Sequence, residues 1–246
     1  MLLVVSSLVN QYELPNMPTI PPSSPYYEAL QQFLKLCLIR TYPAKCNVMK
    51  PGDIGDHLYY IVDGAVSVSY KSPEGQELIL AYLSKGDFIG EIGVFKGAEI
   101  RSVSVDTRSR CQLAEISYTD LKAGLKNDLL HTAADFLFLL SMQLSSRLLI
   151  TSRKCHDLAF LDVEGRVARA LIDLCAEPEA ITHPEGMQIY ISRQEISRIA
   201  GCSREMAGRI LKELEDKNLI KAHGKTIVVL TPLKATLPLK EILATV

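Results

Sequence analysis

Two stretches of the sequence combine residue types that do chemistry. In the first, Phe88-Ile-Gly-Glu-Ile-Gly-Val-Phe95 is followed by Glu99-Ile-Arg-Ser102. Glycines at 86, 90 and 93 allow positive φ and let a ligand approach the backbone with no Cβ in the way. Glu91 offers two acceptor oxygens suited to sugar hydroxyls. Arg101 offers a planar fork that pairs a phosphate through two N–H groups, and Ser102 adds a hydroxyl donor beside it. These are the parts of a small anionic sugar-phosphate site. A guanidinium between Ile100 and Val103 is partly desolvated, and such a charge needs an anion.

The second stretch runs from Ser192 to Leu214. Ser192 caps a helix that turns Ile196, Ile199 and Ala200 inward, with Glu195 placed for a capping box. Gly201-Cys202-Ser203 makes a tight turn. Ser203 caps a second helix, which buries Met206 or Ala207 together with Ile210, Leu211 and Leu214. Helix, glycine turn and helix is the helix-turn-helix pattern. Its solvent face carries Arg204, Glu205, Gly208, Arg209 and Lys212. Arginine matches the N7/O6 acceptor pair of guanine, glutamate accepts from the cytosine amino group, and Gly208 keeps the face shallow enough for a major groove. A merely solvated helix face would satisfy the same charge mix.

Around these stretches the elements follow from periodicity. Tyr27, Leu30, Phe33 and Leu34 mark a helix over 26–36. After Pro43, β-branched and aromatic segments alternate with turns: 47–49, 58–62, 65–70, 77–82, 102–106 and 111–116, separated by Pro51-Gly-Asp, Asp63-Gly, Pro73-Glu-Gly and Lys85-Gly-Asp. This spacing predicts an antiparallel sandwich or jelly roll, with Asp63-Gly64 as a tight hairpin turn. Ser117 starts a short helix to about 125. A long helix then runs from about 129 to 158. Leu130, Leu137, Leu144, Thr151 and Leu158 recur every seven residues, and Ala134, Ser141, Leu148 and Cys155 fill the other seam position, so a parallel helix pair is its natural partner. Thr151 and Ser152 interrupt the seam with two hydroxyls. Leu158 to Asp162 is the expected hinge, and Asp162 caps a helix through Arg166, Val167, Ala170, Leu171 and Leu174. Glu177 to Gly186 reads as a loop. Leu219 to Leu230 reads as two strands about a glycine turn, a wing whose Lys225, with Ser192 and Arg193, sits against backbone phosphates.

Composition sets limits. The 246 residues are 48% hydrophobic, which supports a real core, and the net charge of −1 gives no bulk signal for nucleic acid. Six cysteines without Cys-x-x-Cys spacing read as small buried residues in a reducing cytosol, with no metal role. Met1 to Val9 is apolar but lacks the basic flank of a signal peptide and is too short to span a membrane. No Ser/His/Asp, metal or carboxylate-pair constellation appears, so an enzyme is not expected.

The first stretch resembles the phosphate-binding cassette of cyclic-nucleotide-binding domains. The chain from about 27 to 230 is similar to the cyclic AMP receptor / fumarate-nitrate regulator family of transcription factors. The resemblance implies an α+β protein in segments: a flexible extension (1–25), a cyclic-nucleotide-binding β-roll or jelly roll (26–127), a long dimerisation helix and hinge (128–160), a winged helix-turn-helix (161–230) and a tail (231–246). It implies cyclic AMP as the allosteric ligand, held by Gly90, Glu91, Arg101 and Ser102, with Thr151 and Ser152 of the two subunits reaching the adenine amino group. Ser192, Arg193, Gln194, Ser203, Arg204, Glu205, Arg209 and Lys225 are the implied DNA contacts on TGTGA-type half-sites. The homodimer seam falls on Leu137, Leu144 and Leu148. Thr182, His183 and Gly186 match the family's loop for RNA polymerase, and Lys71 a further contact. The family's basic patch appears here as Leu38, Arg40 and Asp120, which weakens activation through that surface. Some relatives answer cyclic di-GMP and some need no ligand; those have lost the serine beside the arginine or the helix threonine, which Ser102, Thr151 and Ser152 retain. A reading of a different class is a nucleotide-sensing module that recruits a protein partner. The implied location is the cytoplasm, with no membrane partner.

Overall fold

Alternation along the strands explains the first half of the molecule. The structure, a computed structural model, describes residues 20–230. The expectations for 1–19 and 231–246 lie outside the described residues. Strands β1 (Leu38–Tyr42), β10 (Cys111–Ser117), β4 (His57–Asp63) and β7 (Phe88–Ile89) form one sheet in that spatial order. A second sheet is ordered β2 (Asn47–Met49), β9 (Ser104–Thr107), β5 (Ala65–Lys71) and β6 (Glu77–Ser84). Successive side chains point to opposite faces. Ile61, Ile89, Cys111 and Leu113 therefore meet Met49, Val66, Leu83 and Val105 inside the roll. Leu58, Tyr60, Phe88, Ala114 and Ile116 face the other way and pack against helices. Those helices are α1 (Tyr27–Leu36), which buries Ala29, Leu30 and Phe33, and α4 (Ala133–Phe160), which buries Phe136, Leu139 and Leu140. Phe33 stacks on Phe136 at 4.7 Å and meets Phe88 edge-on at 5.6 Å, locking roll to helices.

Four local expectations are corrected. Asp63-Gly64 is not a hairpin turn: β4 pairs with β10 and β7, whereas β5 pairs with β6 and β9, so Gly64 carries the chain from one sheet to the other. Its φ is 91°, and a Cβ there would lie 2.5 Å from the Arg110 carbonyl oxygen. The strand expected from Ser102 begins at Ser104, leaving Ser102 in a loop. The long helix begins at Ala133, because 127–132 is spent in turns. The loop expected at 177–186 contains β11 (Ile181–His183) and leads into β12 (Gly186–Tyr190).

The described residues divide into two compact units, one ending at Thr151 and the other beginning at Ser152. The second holds α5 (Val163–Leu174), α6 (Arg193–Ala200) and α7 (Arg204–Asp216), with a sheet ordered β11-β12-β14-β13, where β13 is Ile220–His223 and β14 is Thr226–Leu230. Its core is Val167, Leu171, Ile196, Ala207, Ile210, Leu211, Leu214, Ile227 and Val229.

Candidate nucleotide and DNA sites

The cassette is built by a two-stranded ribbon and a short helix. Strand β3 (Ile54–Gly55) pairs with β8 (Glu99–Ile100), which sets Arg101 over Gly55. The Pro51-Gly-Asp turn pins the arginine's backbone: its N–H donates to Asp53 O at 2.9 Å, and its carbonyl accepts from Gly52 N at 2.9 Å. Arg101 Nη2 donates to His57 O and to Tyr118 Oη, both at 3.0 Å, and Tyr118 donates to Gly90 O at 2.6 Å. Nε and Nη1 make no hydrogen bond among the described residues. Half of the fork is thus anchored and half is left for an anion. Burial pushes the Tyr118 phenol above its ordinary value, so it stays a neutral donor. Two glycines make room. A Cβ on Gly55 would lie 2.3 Å from Arg101 Nε; one on Gly90, where φ is 87°, would lie 3.0 Å from Nη2. Ser102 is exposed on the rim.

Glu91 opens helix α2 (Glu91–Lys96) and is buried, 3% exposed. Its Oε1 accepts from Arg147 Nη1 at 2.5 Å, while Arg147 Nη2 donates to Phe88 O at 2.5 Å. Gln143, one turn earlier on α4, clamps Phe88 as a strand would, accepting from its N–H at 2.6 Å and donating to its carbonyl at 2.9 Å. Sequence reasoning missed Arg147, Gln143 and Gly55. The available signal was an arginine amid the apolar heptads of the helix, four residues after its single glutamine. The Arg147 Nε is buried with no hydrogen-bond partner among the described residues, a donor suited to a further acceptor.

Further along α4, Thr151 and Ser152 are both exposed. Of the expected seam residues Leu148 is 67% exposed, whereas Leu137 and Leu144 are half-buried. They flank the row Phe136, Leu140, Gln143 and Arg147 that faces the roll. The exposed stripe is Ala134, Phe138, Ser141, Ser145, Leu148, Ser152, Cys155 and Ala159, at alternating spacings of four and three.

In the second unit, Ser192 Oγ accepts from Glu195 N at 3.2 Å and Ser203 Oγ from Met206 N at 3.1 Å, the two expected caps. A capping serine still has its O–H to donate. Gly201 turns the chain at φ 63°, ψ 49°. Arg166 fixes that turn from below, donating Nε to Ala200 O at 2.8 Å. Arg193, Gln194, Arg204, Glu205, Arg209 and Lys225 are exposed. Arg193, Arg204, Glu205, Gly208 and Lys212 line a groove of about 600 Å³. A Cβ on Gly208 would touch the Arg193 side chain at 3.5 Å. Arg209 lies along its own helix, 3.9 Å from Glu213, and Lys225 sits 5.8 Å over the Tyr190 ring. Thr182 and His183 belong to β11, and Gly186 starts β12 after a two-residue turn; Lys71 is exposed at the end of β5. Arg40 pairs with Glu115, and Asp120 with the Ser117 hydroxyl at 2.7 Å.

A nucleotide cassette in a β-roll and a helix-turn-helix with a basic outer face, on one chain, define a class: ligand-binding DNA-binding regulators. Residues 39–128 match the cyclic nucleotide-binding domain family and residues 165–234 the Crp-like helix-turn-helix domain. The chain is 52% identical over 200 residues to the cAMP-activated global transcriptional regulator CRP of Salmonella typhimurium, covering 81% of this chain and 93% of that protein. It is 46% identical over 199 residues to the CRP-like protein Clp of Xanthomonas euvesicatoria, covering 81% and 86%. The solved structure of the c-di-GMP responsive global regulator CLP of Xanthomonas campestris matches with a TM-score of 0.79 and 45% identity, over 82% of this chain and 98% of that one. The chain belongs to the CRP family of transcription regulators, which are not enzymes.

Proposed function

We propose that the protein is a cytoplasmic, homodimeric, cyclic AMP-responsive regulator that binds palindromic TGTGA-type DNA and contacts RNA polymerase. The observation that carries the ligand reading is the half-anchored Arg101. Its Nη2 is held by His57 O and Tyr118 Oη, which leaves Nε and Nη1, with the Ser102 hydroxyl, to pair a cyclic phosphate. Glu91, fixed by Arg147, presents its second oxygen to a ribose hydroxyl. The exposed stripe on α4 supports a helix pair with a second copy. In that pair Thr151 and Ser152 meet the adenine, so ligand biases how the helices pack and DNA affinity follows. Domain limits at 26–127, 128–160 and 161–230 accompany this reading. Ser192, Arg193, Gln194 and Lys225 serve as phosphate contacts. Arg204, Glu205 and Arg209 read bases.

A second reading is cyclic di-GMP, favoured by the likeness to CLP of Xanthomonas campestris. Ser102 and Thr151 favour cyclic AMP. Calorimetric titration of the full chain with each nucleotide decides between them. Saturable heat with cyclic AMP that Arg101→Leu abolishes supports the assignment; heat with cyclic di-GMP alone, or heat unchanged in Arg101→Leu, contradicts it.

A further inference from the structure

One end of the winged sheet carries an exposed aromatic side chain outside the set of DNA contacts above. Tyr190 closes β12 and is 72% exposed. Its hydroxyl makes no hydrogen bond among the described residues. Tyr190 stands opposite Thr226 on β14, which in turn stands opposite His223 on β13. Directly opposed residues share a face of a sheet, so three side chains able to donate hydrogen bonds line up on its outer side. The inner side holds Ile189, Ile220, Ile227 and Val229, all buried.

The surroundings of Tyr190 suit an anion. Two residues on, Ser192 caps α6, whose N-terminal end favours negative charge, and Arg193 beside it is exposed. Ile191 N donates to Lys225 O at 2.8 Å, which pins the turn of the wing next to that helix end. From this turn the Lys225 ammonium reaches back and lies 5.8 Å over the Tyr190 ring, within the distance at which a ring face attracts a cation. Lys225 makes no ion pair among the described residues, so its charge is open to a partner. A lysine loses side-chain freedom when it meets a phosphate, and one already resting on a ring loses less.

We infer that Tyr190 is a further DNA-contacting residue: its ring face holds Lys225 at the phosphate backbone, and its hydroxyl donates to a phosphate oxygen beside that contact. The inference rests on the DNA-binding reading above. The contact is independent of sequence, because phosphates carry no base information. Tyr190 thus anchors the wing and the start of α6 together, while the exposed face of α7 does the reading.

The test is anisotropy of specific and scrambled duplexes with the full chain, in cyclic AMP and at several salt concentrations. The variants are Tyr190→Phe, which keeps the ring, Tyr190→Leu, which keeps only the bulk, Lys225→Ala, and Tyr190→Leu combined with Lys225→Ala. Tyr190→Leu is expected to weaken both duplexes alike, by about threefold to tenfold, and to lower the salt slope by up to about one. Tyr190→Phe keeps the parent's slope and loses about twofold to threefold, the share of the hydroxyl. The double variant falls short of the product of the two single losses by about threefold, because either change alone already unseats the lysine. Thermal unfolding of every variant should match the parent's, as Tyr190 is so exposed. Full affinity and slope in Tyr190→Leu, or losses that simply multiply, overturn the inference, and a Tyr190→Phe variant equal to the parent overturns the hydroxyl contact. A parent that binds neither duplex refutes the DNA reading itself, whereas a binding parent with Tyr190→Leu unchanged refutes only the part given to the tyrosine.

Discussion

Glu91 and Arg147 form a 2.5 Å ion pair that joins the first residue of the cassette helix to the middle of the long helix. The carboxylate is almost fully buried, so its charge depends on that one guanidinium. Arg147→Met leaves it unpaired and is expected to lower stability by about 3–5 kcal/mol, the usual result of breaking a buried pair. Urea unfolding measures this. Adding Glu91→Gln should recover much of the loss, because the orphaned charge goes with it.

Gly55 is the floor under Arg101. Gly55→Ala puts a methyl group where the guanidinium lies and forces it off His57 O and Tyr118 Oη. Losing such hydrogen bonds costs about 1–3 kcal/mol. Cyclic AMP affinity in calorimetry should fall correspondingly, about tenfold or more, while thermal unfolding stays close to the parent's. Unchanged affinity would show that the arginine's placement is irrelevant to the ligand.

On the DNA side, two exposed cations should behave differently. Arg209→Ala is expected to cost about 1–3 kcal/mol on the specific duplex and to relax base preference. Lys225→Ala should weaken binding evenly across sequences and reduce the salt slope by about one. Titrations of specific and scrambled duplexes at several salt concentrations separate the two.

Asp87 gives a pH dependence. It is buried beneath the cassette, and burial raises its carboxyl above the ordinary aspartate value despite the hydrogen bond from Ser84 N. In the window between the ordinary value, about 4, and the raised one, the folded state keeps a proton that the unfolded state has lost. Its contribution to stability is therefore full below that window and is lost as pH rises through it. Asp87→Asn, which keeps an acceptor for Ser84, should flatten the fall of stability with pH in mild acid, measured by urea midpoints.

Much of this architecture was legible because local signals agreed with the global fold. Ser117, Asp162, Ser192 and Ser203 all cap the helices their positions announce, and Ile210, Leu211 and Leu214 are buried as their spacing requires. Asp63-Gly64 misled because a glycine turn looks the same whether the chain returns within a sheet or crosses to another; only pairing distinguishes them. Arg147 and Gln143 were illegible for a related reason. Their partners, Glu91 and the Phe88 backbone, lie more than fifty residues away, and no local pattern records such a contact. The long helix showed its period but not its faces: the buried row Phe136, Leu140 and Gln143 could not be told in advance from the half-buried Leu137 and Leu144 beside it.

The most direct test of the central claim is fluorescence anisotropy of a labelled TGTGA-type palindrome at one stated salt concentration, titrated with protein alone, with cyclic AMP and with cyclic di-GMP. The account predicts tightening with cyclic AMP only, and loss of that gain in Arg101→Leu. Equal binding in all three titrations would contradict the switch, and no specific binding in any would contradict the DNA site as well.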